Sequence, residues 1–430
     1  MNIGAIARGA RFAFLLTLVC GFSPSSQAQT YSLIHSFSGG ADGANPYAGI
    51  TIDGAGNLEG TATGGGLGYG TVFKLKYSQS GYSFGVLYTF TGGSDGAFPY
   101  NGVVIGSDGI LYGSTYLHGG NGCGGNGCGT VFNLRPPATF CRAVLCPWME
   151  TVLYHFMGGN DGSEPTQGAN MIFDQLGNIY GTTASGGAYG QGTVYKLTRS
   201  GGGWTETVIH TFGAPGDGTQ PMHSVILDTN GNLYGTTLSG GANNNGVVFQ
   251  LVPSGSNWTE NILASFSLSG SAGGVPYAGL IIDQSGNLYG ATSANASGER
   301  PPFGYGGGGA VFELIPSGSG WTLKILYNFP DPGGGYHCGP YGNLVMDAAG
   351  NLYGTTYSDG AYGYGSVFKL TPASGQWTYT SLYDFCSGGW PCSDGQLPSG
   401  DLAMDANGNF YGTASRGGTN TYGVVWKITP

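Results

Sequence analysis

Candidate chemistry in this 430-residue chain rests on few side chains: six histidines, eight cysteines and 23 acids. Glu59 is conspicuous because it interrupts a repeat. GNLEGTA (56–62) recurs as GILYGST, GNIYGTT, GNLYGTT, GNLYGAT, GNLYGTT and GNFYGTA. Its six equivalents, Tyr112, Tyr180, Tyr234, Tyr289, Tyr353 and Tyr411, mark a framework position. Glu59 also lies two residues past a Gly-Asn turn, away from the long loops, so it is assigned no catalytic role. Loop acids such as Glu164, Glu299, Asp359 and Asp401 fall in different repeat units, which leaves no carboxylate pair for glycoside cleavage. No GxSxG stands with triad partners, no HExxH occurs, and no phosphate loop precedes a helix. Catalytic residues and cofactors are therefore expected to be none.

The histidines read as follows. His35 and His210 share a strand position that elsewhere holds Tyr88, Tyr154, Ala264, Tyr327 and Tyr383, an outer-surface pattern, and His155 sits one place later. His118, His223 and His337 lie on or near loops, and His223 starts a strand that points it towards a channel mouth. Asp42, Asp95, Asp161, Asp217 and Asp394 each precede glycine in a loop. Calcium wants six to eight oxygens, and one carboxylate per loop suits a staple of the loop's own backbone better. No metal is expected. The aromatic excess is more suggestive of binding. Tyr47, Tyr100, Tyr277 and Tyr341 each follow the proline that opens a unit, and further tyrosines (Tyr69, Tyr189, Tyr305, Tyr362, Tyr364, Tyr422) lie in Gly-rich loops. A tyrosine offers a flat apolar face and a polar tip. Packing between repeats is the competing role for the same rings.

The elements that position these residues are strands. Each unit carries four short runs rich in β-branched and aromatic residues, bounded by Gly, Pro, Asn and Asp: PYAGITID, GNLYGTT, TVFKL and SLIHSF types. Turns such as DTNGN and SGSNW suit tight hairpins. The second-run cores start at Gly56, Gly109, Gly177, Gly231, Gly286, Gly350 and Gly408, which makes seven units. An all-β, seven-bladed propeller of four-stranded antiparallel blades is predicted. A lone fourth run (30–37) opens the array and a lone third run, VVWKI, closes it. Joining them completes the seventh blade and leaves no raw edge. Residues 29–430 thus read as one propeller domain.

Composition narrows the partners. Net charge is −10, with only 13 Lys and Arg, which argues against nucleic acid. Arg8 and Arg11, the apolar run 12–22 and the small-x-small Ser26-Gln27-Ala28 read as a secretory signal over residues 1–28, with the mature chain starting at Gln29. No second apolar span follows, so the mature chain is expected to have no transmembrane segment. The later cysteines suit an oxidising compartment. Cys123/Cys128, Cys141/Cys146 and Cys386/Cys392 are close enough for local disulfides, and Cys338 is left over. A zinc site from the first four is disfavoured, because the strand TVFNL (130–134), at about 3.3 Å per residue, holds the pairs apart.

GNLYGTT, a Gly-Gly loop, GTVFKL, and FxGGxDGxxP between units resemble the GloVer tandem repeat family of exported bacterial proteins, over nearly all of the chain after residue 28. Members pair such repeats with varied C-terminal anchors, and none is recognisable here. The resemblance implies export and a propeller-like array; it implies no reaction and no catalytic residues. The combined reading is an exported, monomeric, non-enzymatic propeller. It binds a polysaccharide or protein through its loop face, with Tyr47, Tyr100, Tyr277, Tyr341 and His223 as the candidate contacts. A structural envelope component and a polysaccharide hydrolase or lyase are the alternatives.

Overall fold

The computed structural model describes residues 29–137, 148–165, 170–294, 308–318, 320–330 and 339–430. Residues 1–28, read from sequence as a signal, and Cys141, Cys146, Cys338, His337, Glu299 and Tyr305 lie outside the described residues. Seven antiparallel sheets form a seven-bladed propeller. Blade 1 shows the pattern: Thr51–Ile52, Leu58–Ala62, Thr71–Ser78 and Gly81–Thr89, paired in that order from the axis outward. Blade 3 carries one extra short strand, Ser163–Pro165, on its second strand. The ring closes as the sequence predicts. Thr30–Ser36 pairs antiparallel with Val424–Thr429, with Tyr31 opposite Ile428 and Ser36 opposite Val424. Among the described residues no helix is long and apolar enough to cross a membrane.

Each letter of the repeat has a physical task. The turn aspartate binds twice over: Asp228 Oδ1 accepts the amides of Asn230 and Asn232, both at 2.8 Å. Its Oδ2 accepts Asn232 Nδ2 at 2.8 Å and the Tyr234 hydroxyl at 3.1 Å. Asp174, Asp283, Asp347 and Asp405 bind their tyrosines in the same way. The next letter, glycine, makes room for a ring. An added Cβ at Gly235 would lie 2.5 Å from Phe249, and at Gly412 2.4 Å from Trp426. The threonine after it bonds to the inner strand of the following blade, as Thr236 Oγ1 does to Ala278 O at 2.9 Å.

Those rings knit the blades together. The phenylalanine ending each outer strand meets the third-strand ring of the next blade: Phe37–Phe73, Phe90–Phe132, Phe156–Tyr195, Phe212–Phe249, Phe266–Phe312, Phe329–Phe368 and Phe385–Trp426. Centroids are 5.0–5.6 Å apart and the planes are steeply tilted. All fourteen rings are buried. Every outer strand also carries a bulge beside this ring, for example between the partners of Val248 and Phe249. A bulge re-aims the neighbouring side chain. Here it turns His35, Tyr88, Tyr154, His210 and Tyr383 towards the loop aspartates. The outer-surface reading of His35 and His210 is corrected accordingly: both are mostly buried at blade junctions.

Glu59 is buried, not at the hairpin surface. It stands opposite Lys74 in the strand register, where other blades set Tyr180 against Lys196, Tyr353 against Lys369 and Tyr411 against Lys427. In those blades the ammonium sits 5.4–5.6 Å from the ring centre. In blade 1 Lys74 Nζ instead bridges Glu59 at 2.5 Å and the turn residue Asp53 at 3.0 Å. The substitution is a local exchange of a cation–π pair for an ion pair. The disulfides Cys123–Cys128 and Cys386–Cys392 form as expected.

Gly235→Ala should therefore destabilise by about 1–3 kcal/mol, the cost of overpacking a ring. Gly54→Ala, where a Cβ meets nothing within 4 Å, should stay near native. Equal denaturation midpoints for the two variants would refute the ring-clearance role.

Candidate functional site

The inner strands start where the loops from the preceding blade end, so the residue after each opening proline faces the axis. Four blades put tyrosine there. The structure brings Tyr47, Tyr277 and Tyr341 to one central cavity of about 220 Å³, together with Met222, His223, Tyr357 and Ser399. Tyr277 and Tyr341 stack at 4.4 Å, and Tyr341 stacks on Tyr357 at 4.7 Å. Tyr100 does not line the cavity; it leans on Tyr47 at 5.4 Å and on Tyr116 at 5.3 Å. Four of the five candidate contacts thus converge.

A polar pair joins blades on opposite sides of the ring. His223, on blade 4, reaches Asp401, on blade 7, with Nε2 3.4 Å from Oδ1. His223 is buried. Asp401 also accepts the Asn343 amide at 2.7 Å and its side-chain Nδ2 at 3.3 Å. Gly279 leaves the space for this crossing, because a Cβ there would lie 2.7 Å from both Asn343 Oδ1 and His223 Nδ1. Asp401, read from sequence as one scattered loop acid, is the partner that His223 had lacked.

Burial, aided by the neighbouring tyrosines, raises the Tyr341 hydroxyl far above its usual pKa, and burial also raises Tyr357 and Tyr100. These phenols stay neutral and keep their protons to donate. The Ser399 hydroxyl donates to the Tyr47 carbonyl at 3.1 Å, so it is not presented to His223 as a nucleophile. The site can stack a ring and hydrogen-bond its edge. Tyr357 escaped the sequence analysis. Its signal is a tyrosine immediately after GNLYGTT, seen also as Tyr116 after GILYGST, and strand pairing alone does not say that it reaches the axis. Two loop tyrosines cover glycines of neighbouring loops: Tyr69 lies over Gly92 and Tyr422, itself exposed, over Gly39, where a Cβ would lie 2.5 Å from each ring.

The Gloeobacter/Verrucomicrobia repeat model matches residues 126–300 and 302–430. No curated protein matches the chain. Similar solved structures include a gluconolactonase from Xanthomonas campestris, 14% identical, with a TM-score of 0.39, covering 76% of this chain and 86% of that one. Another is a protein from Thermus thermophilus provisionally described as an oxidoreductase (glucose dehydrogenase), 16% identical, with a TM-score of 0.40, covering 76% and 95%. At these values neither carries an assignment of substrate or residues to this chain.

A second polar set lies at the blade junctions. The loop aspartates staple their own loops: Asp95 accepts the Thr91 amide at 2.7 Å and Asp161 the Met157 amide at 2.8 Å. Glu150 and Glu206, from the next blade's outer strand, face these aspartates. Burial first, and then Asp95, raises Glu150 from 4.5 to about 7; burial and Asp161 do the same to Glu206. Between those values the folded chain holds protons that the unfolded chain has released, so stability falls as pH rises. The melting temperature should be higher at pH 5 than at pH 8, and Glu150→Gln should flatten that slope. A slope unchanged by the substitution would contradict the assignment.

Proposed function

The chain belongs to the Gloeobacter/Verrucomicrobia repeat family, and we propose that it is a non-enzymatic binding propeller that takes a neutral sugar ring of a polysaccharide into its central cavity. The observation that carries this is the convergence of Tyr47, Tyr277, Tyr341 and Tyr357 with His223, itself paired to Asp401, on one cavity. Tyr341 is sandwiched between Tyr277 and Tyr357, so the outer faces of that stack and the Tyr47 ring are what the site offers to the apolar face of a sugar, with hydroxyl tips for its edge. A cavity of about 220 Å³ is smaller than the roughly 300–1,000 Å³ of a drug-sized pocket, which suits one ring of a longer chain. Exposed Tyr189, Tyr362 and Trp390 on the loops supply surface for the remainder of that chain.

Calorimetric titration with oligosaccharides chosen from a glycan array tests the reading. Tyr47→Ala and Tyr277→Ala should each weaken binding at least tenfold and leave the melting temperature within a few degrees. A collapse in melting temperature with affinity unchanged would make the rings packing only. Capture of a protein instead of any glycan would transfer the surface to a protein partner.

Export belongs to the same proposal. It is supported by the basic and apolar character of residues 8–22, and two disulfides are compatible with it. The protein recovered outside the cytoplasm should begin at Gln29; a retained residue 1–28 segment would count against cleavage.

A further inference from the structure

Among the described residues, five blade junctions are built from one template with three variable positions. The first is the outer-strand residue after the bulge, the second the aspartate of the following loop, the third the outer-strand residue of the next blade. Blades 7 and 1 combine His35, Asp42 and Phe84, with the His35 and Phe84 rings stacked at 3.9 Å. Blades 1 and 2 combine Tyr88, Asp95 and Glu150; blades 2 and 3 combine Tyr154, Asp161 and Glu206. Blades 6 and 7 combine Tyr383, Asp394 and Tyr31. Among the described residues only the junction of blades 3 and 4 unites a histidine with two carboxylates: His210, Asp217 and Glu260.

We propose that His210, Asp217 and Glu260 form a binding site for a divalent transition cation of the zinc type. His210 Nε2 lies 3.1 Å from Asp217 Oδ2 and 3.6 Å from Glu260 Oε1, and one donor atom from each lies within 4.8 Å of the others. Bonds of about 2.0–2.2 Å to a tetrahedral zinc set its donors about 3.3 Å apart, so the observed spacings bracket the required bite. Imidazole nitrogen and carboxylate oxygen are both zinc ligands, and a site with three protein ligands completes its shell with water. The side chains of His210 and Glu260 keep about a fifth of their surface exposed while Asp217 is nearly enclosed, so a cation and its water have an entrance.

Glu260 Oε1 is buried and makes no hydrogen bond, as is true of Glu150 Oε1 and Glu206 Oε1 in the two preceding junctions, but among the described residues only here does an imidazole stand beside both carboxylates. A buried carboxylate oxygen without a donor is costly. His210 Nε2 carries at most one proton, and Asp217 is its nearer acceptor, which leaves Oε1 unserved. A cation between the three atoms satisfies Oε1 and both carboxylate charges at once, with the imidazole proton moved to Nδ1. His210 and Glu260 are 50 residues apart and Asp217 is seven from His210; only the seating of one blade on the next joins them.

The test uses the full chain with its disulfides intact, freed of metal by chelation. Zinc chloride alone should raise the melting temperature and titrate at one equivalent in calorimetry. His210→Tyr installs the residue that Tyr88 and Tyr154 supply at neighbouring junctions, so it should fold and melt like the metal-free native chain, yet bind zinc at least tenfold more weakly. Glu260→Gln, which keeps the shape and removes the charge, should do the same. Zinc stabilisation that survives in both folded variants, or none in the native chain, overturns the proposal. A response to calcium with none to zinc also overturns it, because it would exclude the imidazole.

Discussion

One contact recurs at every seam of this molecule: an edge-on pair of buried aromatic rings, one from the end of an outer strand and one from the middle of the next blade's third strand. Such pairs add about 0.5–1.5 kcal/mol each beyond the area they bury. The cross-strand glycine exists to admit the second ring. The bulge beside the first ring lets the outer strand aim its next side chain into the seam. The seventh seam uses Phe37 from the N-terminal strand against Phe73, so the ring is closed by the same contact that spaces the other blades. Strand pairing alone would leave seven separate sheets; the ring pairs fix how each is seated on the next.

That seating decides the chemistry. Because inner strands approach closely at glycines such as Gly279, side chains from blades 4 and 7 meet across the axis beside the cavity that His223 lines. Because outer strands are brought against the neighbouring loop, a histidine, an aspartate and a glutamate from two blades come within a few ångström of one another. Both clusters are made between blades and neither within one. The repeat provides a uniform frame, and function enters where single letters of the template vary.

Glu59 shows how such variation is to be read. Its letter breaks the repeat, yet the register places it opposite Lys74, and the lysine that caps a ring in three other blades there bridges two carboxylates. Burial pushes the Glu59 carboxyl up to about 7 against the pull of Lys74. The oddity is absorbed inside one blade. His210 breaks the same kind of pattern far less visibly, since a histidine also stands at position 35, and it is the third partner, Glu260, that distinguishes the two junctions.

The sequence by itself determined the strands, the seven-fold count, the ring closure and two local disulfides, because these rest on short-range signals: repeated runs of β-branched and aromatic residues, Asp-Gly and Gly-Asn turns, and cysteines five or six residues apart. It also pointed to the start of each first strand, which is innermost in the blade, and so to Tyr47, Tyr277, Tyr341 and His223, which line the cavity. Tertiary structure decided the rest. That Tyr100 leans away while Tyr357 joins the cavity depends on how neighbouring rings stack. That Asp401 meets His223 depends on the ring's curvature bringing blades 4 and 7 face to face. Contacts across 50 to 180 residues are set by the packing of whole blades, and no local pattern in the chain encodes that distance.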